Sequence, residues 1–188
     1  MTREELKKIL NENKFVCAIK DDNGLENVIK SNHKVVFILY GSVMNICDIV
    51  KKLKSAQKIT FVHIDLIEGL SSKEVAVEFI AKNTGADGII STKQTLIKSA
   101  ASYGLLTVQR FFLIDSLAFS NLKKQLNNSS MDVVEVLPAC CTKTISEIIK
   151  LTDLPVIASG MIRDKEDIDQ ALFAGATAIS GTNLDFFE

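Results

Sequence analysis

Short apolar runs rich in β-branched residues recur along the whole chain. They lie at 16–20, 35–41, 59–66, 88–91, 105–113, 132–137, 155–159 and 177–181. None alternates strictly with polar residues, as a strand with one wet face would. Such runs predict strands buried on both faces, the pattern of a parallel sheet. Between them, Val43, Ile46, Cys47, Val50 and Leu53 follow the i, i+3, i+4, i+7 spacing of an amphipathic helix. Val75, Phe79 and Ile80 do the same, as do Ile168, Ala171 and Leu172. Helices alternating with strands predict βαβ units with right-handed crossovers.

About eight strands exceed the five or six usual for an open doubly wound sheet of this length. The number favours closure into a barrel, although such barrels usually take ~250 residues. The expected fold is therefore α/β: a compact TIM-like (β/α) barrel with short loops and helices. Residues 1–188 are expected to form a single domain, with no linker or low-complexity tract.

Local signals agree with the periodicity. Thr2-x-x-Glu5, Ser71-x-x-Glu74 and Thr144-x-x-Glu147 fit the capping box at a helix start. Gly85, Gly104 and Gly175 stand where a helix would end on a left-handed residue. Pro155 opens a run rather than interrupting one.

With 47% hydrophobic and 24% charged residues the chain reads as globular, not disordered. A net charge of −1 gives no overall basic footprint for nucleic acid. Residues 1–10 are polar and charged, unlike a secretory signal. No apolar run reaches the ~18 residues of a membrane span. A cytoplasmic protein with no membrane contact is expected. Its four cysteines, Cys17, Cys47, Cys140 and Cys141, are then reduced thiols. They include no Cys-x-x-Cys, and no metal ligand is assigned.

In a barrel of this kind the chemistry sits at the C-terminal strand ends. Lys20 ends the first run, Asp65 and Glu68 the third; Arg110 lies in the fifth and Glu135 in the sixth. His63 and Asp65, two apart, are expected on one face of the third strand. Charges set in apolar strands need partners, which they find in one another or in a ligand. The seventh and eighth ends read Ser159-Gly160-Met161-Ile162 and Ser180-Gly181-Thr182. They join hydroxyls to glycines that admit a close backbone approach. A short helical turn over residues 183–187 would complete a phosphate site of the kind barrels build from these two loops. His33 and the lysine runs at 7–8, 51–58 and 123–124 read as solvated surface, and His63 as a strand histidine.

Four strings are more distinctive: His63-Ile64-Asp65-Leu66-Ile67-Glu68-Gly69-Leu70, Gly88-Ile89-Ile90-Ser91-Thr92-Lys93, Gln109-Arg110-Phe111-Phe112-Leu113-Ile114-Asp115-Ser116 and Glu135-Val136-Leu137-Pro138. In this order the chain resembles the glycerol-3-phosphate-responsive antiterminators, regulators of bacterial glycerol uptake operons. That family commonly has two glycines where this chain has Ser159-Gly160. After Ser180 it commonly continues Thr-Ser, where Gly181-Thr182 stand here. Its C-terminal aromatic is matched loosely by Phe186 or Phe187.

The resemblance implies a barrel that binds glycerol-3-phosphate as effector, with no cofactor and no catalytic residue. It further implies action on leader mRNA ahead of glycerol-use genes, and leaves a homo-oligomer open. Ser159, Gly160, Ser180, Gly181 and Thr182 would then hold the phosphate. Asp65 and Glu135 would accept from the glycerol hydroxyls, with Glu68 beside them. Lys20 and Arg110 would balance the carboxylates or reach the phosphate. The loops at 68–72 and 139–144 would order over the mouth. The alternative is a TIM-barrel isomerase, lyase or transferase acting on a phosphorylated polyol, using Asp65, Glu68 and Glu135 as acid, base or Mg²⁺ ligands.

Overall fold

In the computed structural model, which describes residues 1–126 and 130–183, eight parallel strands close into a barrel in sequence order. The strands are β1 (Phe15–Ile19), β2 (Val35–Ile38), β3 (Ile59–His63), β4 (Gly88–Ser91), β5 (Leu106–Phe112), β6 (Val133–Leu137), β7 (Val156–Ser159) and β8 (Ala178–Gly181). Helix α1 (Arg3–Asn13) precedes them. The connecting helices are α2 (Asp22–Lys30), α3 (Ile46–Ser55), α4 (Glu74–Asn83), α5 (Gln94–Ser102), α6 (Ser116–Leu126), α7 (Thr142–Ile149) and α8 (Lys165–Phe173). Closure comes from β8 pairing with β1, Phe15 against Ile179 and Cys17 against Gly181.

The apolar runs fail to alternate because both strand faces are dry. Val36, Ile38, Val62, Ile89, Val134, Val136, Ala158 and Ile179 face the helices. Val16, Ala18, Val35, Phe37, Phe61, Ile90, Val108, Val133, Ile157 and Ala178 fill the interior. Leu6 and Leu10, one turn apart on α1, join that inner cluster at 1% exposure each and seal the N-terminal end. Gly88 meets a tight spot in the wall. A Cβ there would stand 2.3 Å from the Leu106 carbonyl oxygen and 2.5 Å from the Phe61 ring.

The capping box at Thr2 is present: the Glu5 N–H donates to Thr2 Oγ1 at 3.2 Å, and the Thr2 N–H to Glu5 Oε2 at 2.7 Å. The boxes expected at Ser71 and Thr144 do not form. Lys73 and Cys141 hold those N-cap positions without a side-chain cap bond, and Thr144 lies inside α7. Gly85, Gly104 and Gly175 do adopt positive φ. The third run also departs from expectation. Strand β3 stops at His63, and a single 3-10 turn over Ile64–Leu66 follows. Strand alternation therefore does not extend to Asp65; the turn places it.

Candidate functional site

Arg110 and Glu135 are register partners on β5 and β6, and both face inward near the C-terminal ends. Glu135 is 0% exposed and Arg110 8%. Two charges so deep survive only as a well-formed pair. Arg110 supplies it, donating from Nε to Glu135 Oε2 at 2.7 Å and from Nη2 to Oε1 at 3.1 Å. The Ser159 hydroxyl adds a third bond to Oε1 at 2.6 Å. The fork geometry of guanidinium against carboxylate fixes both side chains.

Above this floor opens a cavity of about 210 Å³. The strand β7 and β8 ends wall it with Ser159, Gly160, Met161, Ser180, Gly181 and Thr182; Ala18 and Leu39 close the β1–β2 side. Gly160 and Met161 follow one another with φ of 73° and 57°. Successive residues of unusual handedness turn neighbouring N–H groups into one concavity, which suits an anion. The Met161 and Ile162 N–H groups make no hydrogen bond among the described residues. Neither do the hydroxyls of Ser180 and Thr182. A Cβ on Gly160 would also crowd Leu137 Cδ2 at 3.2 Å. The helical turn expected over residues 183–187, with Phe186 and Phe187, lies outside the described residues apart from Asn183.

Asp65 belongs to a second network on the β3–β4 side. It accepts from Ser91 Oγ at 3.0 Å, from the Thr92 N–H at 2.8 Å and from Thr92 Oγ1 at 3.2 Å. Lys93 Nζ stands 3.7 Å away and also donates to Ser72 Oγ, tying the loop after β3 to the end of β4. His63 Nδ1 lies 3.9 Å from Asp65 Oδ2 and, although buried, has no hydrogen-bond partner. Burial first, then the Arg110 charge, lowers the His63 pKa to about 4 against the pull of Asp65. His63 is thus held neutral at ordinary pH. Glu68 is exposed, and its backbone bridges to Ser42 on the loop after β2. Lys20 is exposed at the end of β1 and does not line the cavity.

The structure therefore gathers Arg110, Glu135, Ser159, Gly160, Ser180, Gly181 and Thr182 around one cavity. Asp65 stands in its own network, and Lys20 and Glu68 lie on the rim. Ser91, Thr92 and Lys93 were not singled out as site residues, though they directly follow an apolar run where strand-end residues belong. Met161 carried no signal, because its positive φ depends on the path of the turn.

Several groups expected to be solvated have structural duties. Lys58 is 6% exposed and donates to the Ser31 and His33 carbonyls at 2.6 and 2.9 Å. Lys54 pairs with Asp87 at 2.6 Å. The His33 ring packs edge-on against Phe15 at 4.9 Å between centroids. Among the described residues no helix is long and apolar enough to cross a membrane.

The sequence profile of the family described as glycerol-3-phosphate responsive antiterminator matches residues 15–187. The protein YgcP of Escherichia coli (strain K12), itself uncharacterized, is 41% identical over 175 residues, spanning 93% of this chain and 92% of that one. Two crystal structures share the architecture. The glycerol uptake operon antiterminator regulatory protein from Listeria monocytogenes str. 4b F2365 is 27% identical with a TM-score of 0.87, over 90% of this chain and 92% of that one. A glycerol uptake operon antiterminator-related protein from Thermotoga maritima MSB8 is 31% identical with a TM-score of 0.82, over 93% and 98%.

Proposed function

This chain belongs to the glycerol-3-phosphate responsive antiterminator family, and from that premise we propose that it is a ligand-sensing regulator, not an enzyme. In this reading glycerol-3-phosphate binds in the cavity at the ends of β7 and β8. The bound form acts on leader mRNA and lets transcription pass a terminator ahead of glycerol-use genes. The observation that carries the reading is the cavity's chemistry. Backbone N–H groups at Met161 and Ile162 and the hydroxyls of Ser180 and Thr182 lie unengaged on one wall. They suit a phosphate, with Gly160 and Gly181 admitting it close to the backbone. Arg110, Glu135 and Ser159 form the floor beneath its carbon chain.

The state of the carboxylates supports a regulator over an enzyme. General acid–base work needs a group free to exchange a proton with the substrate. Glu135 is bound by Arg110 and Ser159, and Asp65 by Ser91 and Thr92. Regulation requires only that the ligand favour one state of the protein over another. The loops at 68–72 and 139–144 are placed to respond. Lys93 holds the first through Ser72, and the Ala139 N–H donates to the Gly160 carbonyl in the second.

The test is calorimetric titration with glycerol-3-phosphate, with glycerol and inorganic phosphate as controls. Saturable binding that exceeds both controls, abolished by Gly160→Asp, is expected. Leader RNA retained by the protein only in the presence of the effector would follow. Equal binding of inorganic phosphate and glycerol-3-phosphate would refute the effector assignment.

A further inference from the structure

The cavity is unequal in what it offers a ligand. A carboxylate has about four acceptor sites. Three of those on Glu135 are taken: Arg110 Nε and Nη2 occupy two, and the Ser159 hydroxyl a third at 2.6 Å. With Glu135 0% exposed, a ligand hydroxyl has little of it to reach. Donors are plentiful by contrast. A guanidinium has five N–H groups, and the bonds to Glu135 come from Nε and Nη2, leaving Nη1 for the cavity. The Ser180 and Thr182 hydroxyls and the Met161 and Ile162 N–H groups add to them.

Charge narrows the choice further. Arg110 and Glu135 cancel, and among the described residues no second cationic side chain lines the cavity. A carboxylate on the ligand would bring a second negative charge beside Glu135 with no cation to meet it. A neutral acceptor avoids this and still takes the free guanidinium N–H.

We propose that this cavity selects a three-carbon phosphate carrying a neutral carbonyl over its alcohol counterpart, and that Ser159 sets this selectivity by keeping Glu135 from a ligand hydroxyl. The proposal rests on the reading that the cavity holds a phosphorylated three-carbon effector. It adds which oxidation level of that effector the floor prefers. The principle is that a hydroxyl lacking an acceptor loses affinity where a carbonyl does not.

The experiment is titration of the full chain with dihydroxyacetone phosphate, glycerol-3-phosphate, 3-phosphoglycerate and inorganic phosphate. It is run on the unaltered protein and on Ser159→Ala. The ketone should bind about fivefold or more tighter than the alcohol, the size of one hydrogen bond, and the carboxylate more weakly than either. In Ser159→Ala, with folding checked by circular dichroism, the ketone-to-alcohol ratio should fall by a similar factor. Glycerol-3-phosphate binding as tightly as the ketone or tighter overturns the selectivity and leaves the effector reading intact. So does an unchanged ratio in folded Ser159→Ala. Failure of every organic phosphate to exceed inorganic phosphate overturns both. Should Ser159→Ala not fold, the order of affinities in the unaltered protein decides alone.

Discussion

Arg110 and Glu135 illustrate how a buried pair resists single substitutions more than joint ones. Removing one partner strands the other charge in a dry interior, at a cost of about 3–5 kcal/mol. Arg110→Met and Glu135→Leu should each lower stability by about that amount in urea denaturation. The double replacement should cost less than either single, because no charge is left behind. His63 sets the acid side of the stability profile. Its pKa falls from 6.5 to about 4 on folding, chiefly through burial. Between those values the unfolded chain binds more protons than the folded one, so stability is lost as pH drops from 6.5 towards 4. His63→Gln should flatten that part of the curve, measured as the urea midpoint at pH 4.5 against pH 7.

At the level of single elements, local chemistry and long-range packing divide the work unevenly. Helix α1 has its full capping box, so Thr2→Ala should cost about 1 kcal/mol in the same assay. The equivalent strings at Ser71 and Thr144 form no box. Neighbouring Ser72 is drawn to Lys93, and α7 begins at Thr142 directly after the turn closed by Cys141 N–H and the Pro138 carbonyl. A capping string therefore states what a helix start could use, while the loop that delivers the chain decides whether it does. The strands were legible from composition because burial on both faces leaves no polar positions. Their ends were not, as β3 shows: the apolar string runs through Leu66, but the pairing stops at His63. That early stop is what separates Asp65 from the Arg110–Glu135 floor. The seven residues of the cavity were readable because barrel geometry sends consecutive strand ends to one place. The Asp65 network was half-hidden, because its partners Ser91 and Thr92 are small polar residues that resemble ordinary loop.

For the whole molecule, the barrel is packed below and open above. Leu6 and Leu10 close the lower end, and Phe37, Phe61, Val108 and Ile157 fill the interior. Leu10→Ala should cost about 2–5 kcal/mol, the usual range for a truncated core leucine, and leave ligand affinity unchanged in the surviving folded fraction. The readouts are thermal melting and titration. Such a seal also governs timing. A vessel with one opening gives a small molecule the same doorway for arrival and departure. Anything that rests across the doorway without preferring the loaded or the vacant form slows both journeys by the same factor. The dissociation constant then stays where it was while the residence time lengthens. In this barrel a cover over the mouth acts as a clock before it acts as a switch.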